Sequence, residues 1–188
     1  MNILRLKSNV GRFLPFLLIL ILVLILAQWQ KRGPLPGPHV KLLGPGMRSD
    51  RGTEFTLPDL SGKMINLSDF KGNVVVMNFF ATWCGPCRQE MPSLEQVFQA
   101  YKHKDFVVLG VAGDVQGQEV VAPFVKEYGM TFPVVLDPQN VVSKQYRVRG
   151  IPTVYLVDRQ GQIAGTYVGG ADWNSEEARS VIDQLLRE

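Results

Sequence analysis

Cysteine and histidine are scarce, with two of each in 188 residues. A structural zinc site needs about four such ligands. Neither His39 nor His103 has a partner at ligand spacing, so no metal is expected; both read as solvated loop positions, His39 in a Pro/Gly tract and His103 between lysines. Basic residues are not in excess where an excess would matter. Residues 1–32 hold five Lys/Arg and no Asp/Glu, which leaves 15 Lys/Arg against 17 Asp/Glu in 33–188. The formal charge of +3 is therefore no nucleic-acid footprint, and no nucleic-acid partner is expected. The chain has no internal repeat and no long charge run.

One stretch lacks polar residues altogether. Phe13–Ala27 is wholly apolar, with Arg5, Lys7 and Arg12 before it and Trp29 and Lys31-Arg32 behind. Counted to Trp29 it is 17 residues, about 25 Å as a helix and at the short end for a bilayer span. Small residues before a cleavage site are missing apart from Ala27, which favours an uncleaved signal-anchor over a cleaved signal peptide. No cysteine lies near the end of the run to carry a lipid. Basic residues lead before the span, so residues 1–12 are expected in the cytoplasm, 13–29 across the bilayer and the remainder on the outer face of the cytoplasmic membrane.

Residues 33–46 contain four prolines and four glycines and cannot hold a helix or central strand, so 30–51 reads as a semi-extended tether. Residues 52–188 are the size of one domain with a single core. Within it Phe55–Leu57 and Met64–Leu67 flank a turn, Asn73–Phe80 is a near-continuous apolar strand, and Pro86–Tyr101 has helical spacing at Met91, Leu94, Val97/Phe98 and Tyr101, with a kink expected at Pro92. Strand 106–112, helix 119–128, strand 133–136, helix 140–146, a strand pair 153–157 and 163–167, and an amphipathic helix 175–186 follow. The alternation predicts an α/β domain with helices on both faces of a mixed sheet.

The chemistry lies where the apolar strand meets the first helix: Cys84-Gly85-Pro86-Cys87. Three residues along a helical turn bring two sulfurs to one side, close enough to bond. Cys84 falls near the N-cap, where unpaired N–H groups and the helix dipole favour a thiolate, and Pro86 loses no hydrogen bond in the first turn. Cys84 is therefore the expected exposed nucleophile and Cys87 the buried resolving thiol, with no cofactor beyond the pair. A purely structural disulfide would close too short a loop to restrain the unfolded chain much.

Trp83-Cys84-Gly85-Pro86-Cys87 after Asn78-Phe79-Phe80-Ala81, with Gly150-Ile151-Pro152-Thr153 downstream, resembles thioredoxin-fold oxidoreductases. Phe55-Thr56-Leu57-Pro58-Asp59-Leu60, Leu67-Ser68-Asp69-Phe70-Lys71-Gly72, Arg88-Gln89-Glu90-Met91-Pro92 and Phe132-Pro133-Val134 narrow the resemblance to the membrane-anchored TlpA/ResA-like group over roughly 54–170. The resemblance implies an N-terminal β-hairpin and a helix–strand insert at about 117–137. It implies a cis Pro152 beside the cysteines that leaves the Ile151 backbone free for an extended substrate, with Trp83, Gly85 and Pro86 flanking the site. Asn78 stands where general thioredoxins carry a buried Asp, and Glu90 where ResA-like members carry a glutamate, so Glu90 is either a partly buried proton carrier or an ordinary exposed helix residue. The implied activity is reduction of disulfides in exported proteins such as apocytochrome c or copper-site proteins, with a membrane thiol carrier as electron donor. Two alternatives stay open: an AhpC/TSA-like peroxidase, against which Ala81 stands where a Thr/Ser is expected three residues before the cysteine, and a non-enzymatic dithiol module binding a metal or client.

Overall fold

Burial of every residue of β3, Val74–Phe80, makes it the centre of the architecture. The computed structural model describes residues 15, 17–21, 33, 35–48 and 54–188. The chain divides into residues 1–34 and a second unit, Leu35–Glu188. In the first unit residues 17–21 are helical. The expected span 13–29 and the leader 1–12 lie for the most part outside the described residues, among which no helix is long and apolar enough to cross a membrane.

The second unit is built on a five-stranded sheet in the order β5-β4-β3-β6-β7. β4 (Phe106–Ala112) runs parallel to β3, and β5 (Val134–Leu136) parallel to β4; β6 (Thr153–Val157) and β7 (Ile163–Val168) complete the sheet antiparallel. The period of two along β3 divides the core. Val74, Val76 and Phe80 pack with residues of α1 (Gly85–Tyr101), α2 (Gln118–Glu127) and α4 (Glu176–Arg187). Val75, Met77 and Phe79 pack with Val142 of α3 (Val141–Gln145), with Tyr146, and with Leu57 of the hairpin β1 (Thr56–Pro58) and β2 (Met64–Asn66). The mixed sheet covered on both faces, the β-hairpin and the helix–strand insert are thus present. An isolated bridge from Asp59 to Val135 covers the outer edge of β5, which would otherwise offer unpaired backbone groups.

Each element lies within two residues of its expected bounds. α1 runs unbroken through Pro92, which sits on its exposed side. Its inward face is Cys87, Glu90, Met91, Leu94, Val97 and Tyr101.

The tether expectation is corrected for residues 35–48. This stretch has no regular strand, as its prolines dictate, but it is laid along the domain. Pro36 O accepts Asp172 N–H (2.9 Å), Leu43 N–H donates to Ala164 O (2.8 Å), and Val40 and Leu42 pack on the core. Val40 lies against Gly165, where a Cβ would come within 2.8 Å of it, so only glycine admits the close approach. Arg48 then pairs with Asp158 at 3.0 Å and with Glu188 at 2.5 Å, its side chain only 3% exposed. Composition could announce an extended chain but not the surface it would find. Arg48→Ala leaves the buried Asp158 Oδ2 without its cation, Oδ1 keeping the Gln160 and Gln162 N–H groups, and is expected to lower stability by about 3 kcal/mol, read as a shifted urea midpoint with unchanged slope.

Candidate functional site

The site begins at the C-terminal end of β3, where the chain turns into α1. Cys84 is the N-cap of α1, and its Sγ accepts the Cys87 N–H at 3.3 Å. The two cysteines are disulfide-bonded, with Cα atoms 5.2 Å apart. Cys84 retains 5% exposure and Cys87 none. The order of access is the expected one, but Cys84 is far less open than an exposed nucleophile, because Ile151 closes over it: Sγ lies 3.7 Å from the Ile151 carbonyl oxygen. The Ile151–Pro152 peptide is cis. Trp83 projects outward at 72% exposure, Gly85 and Pro86 are exposed, and Pro152 is buried. Beside them a cleft of about 210 Å³ is lined by Trp83, Val115, Asn140, Ser143 and Ile151.

Glu90 is where the two sequence readings part. It is fully buried, so the exposed-helix alternative is corrected. One turn beyond Cys87, it shares the inward face of α1. Asn78, on the β3 face that carries Val76 and Phe80, is also fully buried. Glu90 Oε2 accepts Ala171 N–H at 3.3 Å. Burial pushes the carboxyl pKa up to about 8; the Ala171 N–H and the Trp173 and Asn78 side chains pull the other way but do not offset the loss of water. Neither Trp173 nor Asn78 reaches hydrogen-bond geometry, and Glu90 Oε1 is unpaired among the described residues. A dithiol/disulfide pair with an acid that holds its proton near neutrality can couple sulfur exchange to proton transfer.

The AhpC/TSA family model matches residues 49–166. The thiol-disulfide oxidoreductase ResA of Bacillus thuringiensis is 35% identical over 133 residues, covering 71% of this chain and 73% of that protein. The thioredoxin-like protein YneN of Bacillus subtilis is 38% identical over 131 residues, covering 69% of this chain and 76% of YneN. A crystal structure of a putative thiol:disulfide interchange protein DsbE from Chlorobium tepidum, 34% identical, superposes with a TM-score of 0.69 over 74% of this chain and 97% of that one. The chain belongs to the AhpC/TSA family and is a ResA-like thiol–disulfide oxidoreductase.

The thioredoxin-like α/β fold of this ResA-like enzyme sets Ile151 against Cys84, Trp83 on the cleft that Ile151 lines, and Glu90 on the helix face of Cys87, and it adds others. The loop ahead of Cys84 is clamped from two sides. Buried Asp114 accepts Thr82 N–H (3.0 Å) and the Thr82 hydroxyl (2.7 Å), while Arg88 Nη1 donates to Thr82 O (3.1 Å). Arg88 also lies over the rings of Phe124 and Tyr128, at 5.5 and 5.2 Å from their centroids, and pairs with Glu127 at 3.2 Å, so the inserted α2 is fastened to the start of α1. Sequence reasoning missed Asp114, Ala171 and Trp173. Asp114 closely follows a strand, like many loop acids; Trp173 stands in a short polar stretch with no periodicity. Neither carries a local signal, since each acts on a partner 32 or more residues away.

Proposed function

We propose that this thiol–disulfide oxidoreductase is held by residues 13–29 on the outer face of a cytoplasmic membrane, single-pass, and reduces disulfides in exported proteins, apocytochrome c or copper-site proteins among them. The observation that carries the reading is a disulfide at the N-cap of α1 whose first cysteine retains surface while the second has none, beside the Ile151 backbone. The apolar run and its basic flanks support the location. In the reduced protein the Cys84 thiolate attacks one client sulfur; the client disulfide breaks, a Cys84–client bond forms, and the other client sulfur leaves as a thiolate. Cys87 gives up its proton and attacks Cys84 Sγ. The intramolecular disulfide forms and the second client thiolate departs, two electrons having passed to the client. Glu90, in its carboxylate form, takes the proton that Cys87 gives up and returns it to solvent, so Glu90→Gln slows exchange. A membrane thiol carrier restores the dithiol.

Cys87→Ser in the full-length chain is expected to accumulate a mixed disulfide with an exported protein, separable on a non-reducing gel. A module that only binds through its dithiol traps none. The reduction potential decides direction: a value near about −270 mV fits a reductase, and one near about −120 mV would make it an oxidant. Oxidation of the dithiol by peroxide far faster than free cysteine would instead favour the peroxidase.

A further inference from the structure

The inner end of Glu90 is furnished from a distant part of the chain. The segment 171–173 is fastened to α1 through Ser93, whose hydroxyl donates to the Glu90 carbonyl (2.8 Å) and accepts Trp173 N–H (3.0 Å); the same segment supplies the Ala171 N–H to Glu90 Oε2 (3.3 Å). Trp173 is 1% exposed, and its ring meets Tyr167 edge-on at 6.0 Å. Its Nε1–H has no acceptor among the described residues, Glu90 Oε1 has no donor, and the Asn78 amide is likewise unpaired; of the two side-chain donors that face Glu90, Trp173 acts on it more strongly than Asn78. A buried donor and a buried acceptor left unpaired within one cluster are exceptional in a folded protein. They make sense if their pairing depends on the charge of the acceptor, because a carboxylate draws an N–H far more strongly than a carboxylic acid does.

We propose that Trp173 is a positioning residue for Glu90: its ring bars water from the carboxyl group, and its Nε1–H is the donor that Oε1 takes up once the proton has left. This rests on the reading of Glu90 as the proton carrier. Trp173 itself gains and loses no proton. Its two contributions oppose each other, since the ring penalises the charged form and the N–H favours it. No charged side chain among the described residues competes. From β3 the facing group is the Asn78 amide. On the 171–173 segment Asp172 accepts the Asn174 N–H (2.9 Å). On α4 Arg179 and Asp183 act on Tyr101. On α1 Cys84 and Cys87 are bonded to each other.

The test follows the Glu90 proton directly. In the oxidised full-length chain in detergent micelles, the protonated-carboxyl C=O stretch that disappears in Glu90→Gln is titrated by infrared difference spectroscopy. Trp173→Phe keeps the ring and removes the N–H, and it is expected to raise the midpoint by about one pH unit. A folded Trp173→Phe protein titrating at the wild-type midpoint would overturn the proposal. A second measurement needs no change at position 173. Of the three indole N–H resonances, that of Trp173 is expected to shift with the Glu90 midpoint in the wild type and to stand still in Glu90→Gln; a Trp173 resonance indifferent to pH in the wild type overturns the proposal as well. If Glu90→Gln leaves disulfide exchange unaltered, the proton-carrier reading falls, while the infrared midpoint of Trp173→Phe still tests the link between the two side chains.

Discussion

Glu90→Gln is expected to be more stable than the wild type at pH 8.5 and to lose nearly all of that advantage by pH 4. Glu90 holds its proton in the native state up to about 8, against an ordinary value of 4.5. Between those limits the folded chain keeps a proton that the unfolded chain has released. The native state therefore loses stability as pH rises through the window, by about 1.4 kcal/mol per unit and about 5 kcal/mol in all. Glutamine cannot ionise, so the variant lacks this slope. Its amide oxygen can still accept the Ala171 N–H, so the comparison isolates the charge. Urea denaturation of the oxidised protein at several pH values reads the difference. A gap between the two proteins that stays constant from pH 4 to 8.5 would mean that Glu90 ionises in the folded state as readily as in the unfolded one. The expected change is comparable to the whole stability of many domains. An acid kept here at such cost points to use rather than packing.

Cys84→Ala is expected to cut turnover of a disulfide substrate by a thousandfold or more, on the order of what removing a catalytic nucleophile costs elsewhere. Cys87 cannot take its place. It is wholly buried on the inward face of α1, whereas Cys84 alone keeps contact with the surface. The helix N-terminus that would stabilise a thiolate is also at Cys84, which receives the Cys87 N–H. Single-turnover reduction of a model disulfide by the reduced variant checks this. Residual turnover within tenfold of wild type would shift the attacking role to Cys87 and require the loop at Ile151 to open much further than its contact with Cys84 allows.

What the two predictions share is a pair of residues whose legibility in the sequence differed. The cysteines were plain, because their chemistry depends on a spacing of three along one helix and on the apolar strand before it. Both are local and periodic, and the same holds for β3, the inward face of α1 and the hairpin. The spacing from Cys87 to Glu90 is equally local, yet it could not fix burial: a residue one turn on lies under the cysteines or at the rim depending on what packs against it. That was decided by Ala171 and Trp173, some 80 positions away, arriving over α1 through Ser93. The segment 35–48 follows the same rule. Its prolines barred a regular strand or α-helix, but only the folded surface, with Gly165 leaving room for Val40 and Asp158 awaiting Arg48, turned a tether into a strap. The sequence by itself determined the redox pair, the order of strands and helices, and the apolar residues each would turn inward, since short-range periodicity and capping specify these. The tertiary structure alone decided which acid loses its water and which distant donor stands beside it, because desolvation is a property of everything that closes around a group and no nearby residue encodes it.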